Sequence, residues 1–231
     1  MKLIYIFIIC IICIFIIIFL QKKKINTFQN SESNDRYNKF KILEDNYKMI
    51  LDEIPPFDIT KITIERKRNE WNNEEGAMFL DKMNNNIEWV GSWDPSKKWF
   101  NFPLMYYNKV IGSAETICPN TIKILKQIGD INIAGFSLLL PTASLIRHTD
   151  TTGPNYDSMA LNYFLVGDKS NLYVKFNKKY NTYTHERGKL VIFNSENEHY
   201  ADNMGTENRI ILYVDFKCTW HDTLIRKVFK Y

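Results

Sequence analysis

The chain has 231 residues, 45% of them apolar and 14% aromatic, with a formal net charge of +4. That is enough apolar material to bury the core of one catalytic-size domain and too little for two. The positive balance is small and scattered, with no arginine-rich stripe and no basic helix interleaved with aromatics, which excludes nucleic acid as an expected partner.

Leu3 to Leu20 is an unbroken apolar run rich in Ile and Phe, close to the ~20 residues that cross a bilayer core. It predicts a transmembrane anchor over 1–21. A cleavable signal peptide would end in small residues, whereas this run meets Gln21-Lys22-Lys23-Lys24. A buried soluble helix would show a polar face, and none is present. Lys2 stands on one side of the run, and Lys22 to Lys24, Arg36, Lys39 and Lys41 on the other. The expected localisation is therefore a single-pass membrane protein with its catalytic domain on the cytosolic side. The lack of any Asn-x-Ser/Thr sequon agrees with that side. Of the four cysteines, Cys10 and Cys13 lie in the run, leaving Cys118 and Cys218, too few for a disulfide framework.

Residues 22–38 turn polar and predict a short stalk, followed by a catalytic domain over 39–231. Ile42, Leu43, Tyr47, Ile50, Leu51 and Ile54 recur at helical spacing, predicting an amphipathic helix from Lys41 to Ile54 that stops at Pro55-Pro56. From Ile62 to Val110 the texture is irregular and rich in tryptophan, predicting loops and short strands over one mouth of a barrel; Trp89, Trp93 and Trp99 fit the lining of a substrate cleft or, more simply, packing, and are given no role. Pro119 opens a predicted helix that runs to about Gln127 and closes at Gly129. Beyond Asp130 come short β-rich runs at Ile131–Leu140, Ser144–His148, Met159–Val166, Asn171–Phe176, Lys189–Phe193 and Arg209–Phe216, a spacing that indicates a sandwich or barrel.

His148-Thr149-Asp150 ends one of these runs, and His199 follows another. Two imidazoles and a carboxylate can occupy one face of an octahedral Fe(II) and leave three positions for a chelating cosubstrate and oxygen. Alternate residues of an extended chain point the same way, so His148 and Asp150 can converge while Thr149 faces away. Alone, this pattern also fits exposed polar residues at a turn, and zinc could take the same ligands. Arg209 shifts the balance, because it heads a strongly apolar strand. A guanidinium entering a barrel interior needs an anion, and the distal carboxylate of 2-oxoglutarate offers a bidentate one; a surface charge is the plainer alternative. A Ser137–His148–Asp150 hydrolase triad lacks the flanking glycines of a nucleophile elbow. His185 and His221 read as solvated loop residues.

These residues resemble the aspartyl/asparaginyl β-hydroxylase family. The similarity runs through Phe102-Pro103-Leu104, Cys118-Pro119-Asn120-Thr121, Phe136 to Pro141, His148, Gly188 to Ser195, His199 with Asn203, Arg209, and Val214-Asp215-Phe216, in order, over a core of about 99–216. The resemblance implies a mainly β, double-stranded β-helix (jelly-roll) domain with flanking helices. It also implies Fe(II) held by His148 and His199, 2-oxoglutarate held by Arg209 with Ser137, and O2 as co-reactant. Some animal members have Gly at the place of Asp150, whereas lipid-modifying bacterial members look like HxD; this chain follows the latter, which makes Asp150 the expected third ligand. Asn162 and Phe164 stand where the family usually offers Arg and His to the cosubstrate. The expected substrate is an Asp or Asn side chain of a protein. A lipid acyl chain, or no turnover at all in a jelly-roll binding protein, are the alternatives.

Overall fold

The computed structural model describes residues 39–65, 87–150 and 158–217. The expected anchor and stalk, His221 and Cys218 lie outside them. Among the described residues, no helix is long and apolar enough to cross a membrane. The chain divides into two compact units, Met1–Ile42 and Leu43–Tyr231; in the first, the described residues 39–42 are helical, and all that follows concerns the second.

The predicted helix before Pro55 is interrupted by a turn at Asn46, a residue whose side chain competes with helical backbone bonds. Helix α1 (Tyr47–Asp52) continues after it. The apolar stripe of the predicted helix faces inward, with Leu43 before the turn and Ile50 in α1 fully buried. The short α2 (Ala114–Ile117) leads into α3 (Pro119–Ile128), which has Pro119 in its first turn and ends at Gly129 with φ 63°. Glu53 caps α3 from a distance: its carboxylate accepts from the backbone N–H groups of Asn120 (2.9 Å) and Thr121 (2.7 Å) and from both side chains. A carboxylate there satisfies orphan donors and faces the positive end of the helix dipole. Cys118 is buried and free, and burial with the Glu53 charge pushes its thiol up to about 12.

Two antiparallel sheets form the body. The larger contains β1 (Val90–Gly91), β2 (Trp99–Tyr106), β3 (Lys109–Val110), β4 (Ile131–Leu139), β5 (Ser158–Val166), β8 (Leu190–Phe193) and β10 (Arg209–Lys217). Its order is β1-β2-β4-β10-β5-β8, with β3 beside β2. The smaller has the order β7-β6-β9, from β6 (Ser170–Phe176), β7 (Lys179–Thr184) and β9 (His199–Asn203). The segment expected as a strand at Ser144–His148 is extended beside β9 and bridges it at Ser144↔Asp202 and His148↔His199. From β4 onward the chain alternates between sheets: β4 in the larger, 144–148 in the smaller, β5 in the larger, β6 and β7 in the smaller, then β8, β9 and β10 crossing in turn. This is a mainly β, jelly-roll-like arrangement.

Between the sheets, Ala160, Leu172, Val174, Phe193 and Ala201 form an apolar cluster, with Leu145, Val191 and Tyr213 against it. β10 lies between β4 and β5, and most of its side chains are buried. Gly135 on β4 stands opposite Tyr213, and a Cβ there would meet the Phe102 carbonyl oxygen at 2.6 Å, so β2 can approach β4 only because this residue has no side chain.

Candidate active site

His148 and His199 face each other across the bridge between their backbones, where His148 N–H donates to the His199 carbonyl (3.0 Å) and receives the reverse bond (2.8 Å). Their rings lie 4.4 Å apart between centroids. Each ring is fixed by the same local device: Nδ1 lies 2.7 Å from the Ile146 carbonyl in His148 and 2.9 Å from the Asn197 carbonyl in His199. A carbonyl only accepts, so both Nδ1 atoms carry the proton and both Nε2 atoms present lone pairs. Asp150 meets those lone pairs, with Oδ1 3.7 Å from His148 Nε2 and Oδ2 3.5 Å from His199 Nε2. The three ligand atoms lie within 4.8 Å of one another. Burial works to raise the Asp150 pKa; any proton taken up by His199 or His148 at Nε2, and the hydrogen bond from Tyr213, lower it. Two neutral imidazole nitrogens and an ionised carboxylate are the donor set that a divalent transition metal requires.

Deeper between the sheets a cavity is lined by Trp99, Ser137, Asn162, His199, Arg209 and Tyr213, among others, with Leu145, Leu172 and Phe193 as apolar wall. Arg209 is 1% exposed. Its Nε and Nη2 are both buried without a hydrogen-bond partner among the described residues. These two atoms form one edge of the guanidinium, a fork of two parallel donors that matches a carboxylate. Burial lowers the Arg209 pKa to about 9 against the opposing influence of Asp202, so the group stays cationic at neutral pH. An uncompensated buried cation is costly. The cavity is therefore arranged for an anion at its Arg209 end.

Of the expected site residues, His199, Ser137 and Arg209 line this cavity, and His148 and Asp150 join it through their cluster with His199. Ser137 is not paired with His148 as a hydrolase triad would require. Its Oγ accepts from Trp99 Nε1 at 2.8 Å, which leaves the hydroxyl proton free to donate into the cavity. Of the two sequence readings of Trp99, cleft lining is the one its position fits, since it lines the cavity. Tyr213 was not singled out by its sequence context, yet its hydroxyl donates to Asp150 Oδ2 at 2.8 Å.

His185 corrects the sequence reading. It is 7% exposed rather than solvated, and its ring stacks on Phe164 with centroids 5.2 Å apart. Ser170 Oγ donates to the Asp202 carbonyl at 2.6 Å, so it accepts from His185 Nδ1 at 3.0 Å. The signal that could have found it is its place at the end of β7, an edge strand too polar to be recognised. Burial, helped by the Arg209 charge, lowers the His185 pKa from 6.5 to about 2. Between those values the unfolded chain binds a proton that the folded chain refuses, so stability is full above about 6.5 and falls as the pH drops. The slope is at most ~1.4 kcal/mol per pH unit. Urea unfolding of the wild type and His185→Gln at pH 7.5 and 5.5 should show a smaller acid loss in the variant.

A jelly-roll-like body with two histidines and a carboxylate clustered beside a cavity that holds a buried guanidinium fits the non-haem metal class of site. The chain belongs to the aspartyl/asparaginyl β-hydroxylase family, whose model matches residues 44–219. An uncharacterised protein of Acanthamoeba polyphaga mimivirus is 28% identical over 160 residues, covering 66% of this chain and 55% of the relative. The chain thus spans about half the length of that curated relative. Among solved structures, an oxidoreductase of the 2OG-Fe(II) oxygenase family from Burkholderia pseudomallei aligns at 13% identity and a TM-score of 0.43, covering 63% of this chain and 79% of that one. A predicted oxalate decarboxylase from Thermotoga maritima aligns at 15% identity and a TM-score of 0.34, covering 52% and 80%.

Proposed function

We propose that this protein is an Fe(II)- and 2-oxoglutarate-dependent hydroxylase, with His148, Asp150 and His199 as metal ligands and Arg209 with Ser137 as the seat of the distal carboxylate. The observation that carries this reading is the buried donor edge of Arg209, without a hydrogen-bond partner among the described residues, sharing one cavity with His199, whose ring lies 4.4 Å from that of His148. Ferrous iron, when bound, supplies the oxygen activation by which 2-oxoglutarate, O2 and a substrate C–H become succinate, CO2 and a C–OH. The side chains do little acid–base work. The two Nδ1–H donors fix the tautomer and direction of the imidazoles. Arg209 takes a carboxylate on two parallel N–H bonds, and Ser137, its oxygen already engaged by Trp99, adds its hydroxyl proton. Leu145, Leu172 and Phe193 keep the space between them dry, which strengthens each of these contacts.

The substrate proposed is an Asp or Asn side chain of a protein. A lipid acyl chain is the second reading, favoured by the apolar run Leu3–Leu20, which we propose anchors the catalytic domain at a membrane surface where such a chain would be at hand. Pure protein supplied with Fe(II), 2-oxoglutarate and O2 should form succinate only with all three present. Mass gains of ~16 Da on peptides or on extracted lipids then assign the substrate class. Failure of iron-loaded protein to form succinate with either substrate class favours a binding protein instead, a reading motivated by the neutral Asn162 and Phe164.

A further inference from the structure

We infer that Tyr213 is the positioning residue of the metal centre, acting through Asp150 to make that carboxylate a one-oxygen ligand; this rests on the proposed reading of the site. The three expected ligands are held very unequally. His148 and His199 are locked to each other by two backbone hydrogen bonds, and each imidazole is pinned by a carbonyl two residues before it. Asp150 follows the last bridge, and its own main-chain anchor is the bond from its N–H to the Ser195 carbonyl at 2.9 Å. Its carboxylate is 29% exposed and lies 3.5 to 3.7 Å from the imidazole nitrogens. The short bond to that carboxylate comes from the Tyr213 hydroxyl at 2.8 Å, across 63 residues of chain.

Tyr213 suits this task because it does not itself move easily. It sits on β10, the strand between β4 and β5, opposite Gly135 on one side and Asn162 on the other. Its ring packs on the apolar cluster that includes Phe193 and Ala201. Four residues along the same face of the same strand stands Arg209, at roughly 3.3 Å per residue. One rigid strand thus carries both the anion fork and the tether of the carboxylate, and sets the distance between the two ends of the cavity.

The hydroxyl engages Oδ2 and leaves Oδ1 turned to His148. A carboxylate held this way offers a metal one oxygen. That matters for a site that must keep three coordination positions for a chelating oxo-acid and oxygen, because a second carboxylate oxygen would fill one of them. Partners of ligating carboxylates act in this manner at metal sites in general, and their loss typically costs ~10–100-fold in metal affinity.

The test is a double-mutant cycle on Co(II) binding to the full chain, followed by calorimetry and by the visible spectrum of the bound ion. Tyr213→Phe should raise the Co(II) dissociation constant ~10–100-fold and alter the spectrum. In an Asp150→Ala background the same substitution should change neither, because its route is gone. The unfolding midpoint of each metal-free variant reports whether the fold survives. Unchanged Co(II) affinity in a folded Tyr213→Phe protein, or an equal loss with and without Asp150, overturns the inference. Wild-type protein that binds no Co(II), or binds it undiminished in His148→Ala, instead overturns the proposed reading of the site.

Discussion

Replacing His148 or His199 with alanine is expected to reduce succinate formation from 2-oxoglutarate to background, a loss of at least ~10³-fold. Changes in residues that merely support a ligand cost about 10–100-fold, and these substitutions remove the ligand itself. Each imidazole enters the site with its tautomer already set by a carbonyl, so nothing nearby can replace its Nε2. Both side chains are largely buried between the sheets, at 7% and 5% exposure, and the backbone bridge that joins them does not depend on their rings. The variants should therefore remain folded. Single-turnover succinate assays with equal Fe(II) loading attempts, beside thermal melts, check both halves of the expectation.

Arg209 gives the second large effect, and here affinity and stability should move in opposite directions. Two charge-assisted hydrogen bonds of roughly 1.5–3 kcal/mol each are lost in Arg209→Met. The KM for 2-oxoglutarate should accordingly rise by ~10²–10⁴-fold, at 1.4 kcal/mol per decade. Without cosubstrate, the same substitution removes a buried cation whose Nε and Nη2 have no hydrogen-bond partner among the described residues. Such exchanges for well-packed apolar side chains are neutral or stabilising by about 1–4 kcal/mol. Urea unfolding of the cosubstrate-free proteins should show Arg209→Met at least as stable as the wild type. Arg209→Lys keeps the charge but not the fork, and should recover little of the affinity.

The parts of the fold that were legible in the sequence are the short runs dense in apolar residues, of which β6 alternates in burial and β10 is buried almost throughout. β4, β5, β6, β8 and β10 were all expected to within about a residue at either end, because β-branched and aromatic residues fill their buried positions. β2 was not, although Phe100, Phe102 and Leu104 are buried alternately. Asn101 and Pro103 between them read as loop, and the pairing with β4 is irregular where Pro103 sits. β9 was hidden for a different reason. Its inward positions are His199, Ala201 and Asn203, so the polar residues that build the site stand where apolar ones would have announced a strand. β7 shows almost no burial on either face and left no pattern to read.

At the site, the residues with a distinctive spacing were legible and their supporting contacts were not. His148, Asp150, His199 and Arg209 could be named only together, since the HxD and distant His alone also fit exposed turn residues, and it was Arg209 on an apolar strand with the family resemblance that set them apart. Tyr213 and Trp99 are ordinary strand aromatics in sequence. Only the pairing of β10 with β4 and β5, and of β2 with β4, turns their polar ends toward Asp150 and Ser137. His185 was misread because its burial is created by Phe164 and Ser170, both distant in the chain.

The most direct test of the account is a crystal structure of the protein grown without oxygen in the presence of Mn(II) and 2-oxoglutarate. The account predicts one Mn(II) bonded to His148 Nε2, His199 Nε2 and a single oxygen of Asp150, with 2-oxoglutarate chelating it and its far carboxylate on the Nε and Nη2 of Arg209. A metal bound elsewhere, or an Arg209 fork turned away from an oxo-acid bound in another place, would contradict it.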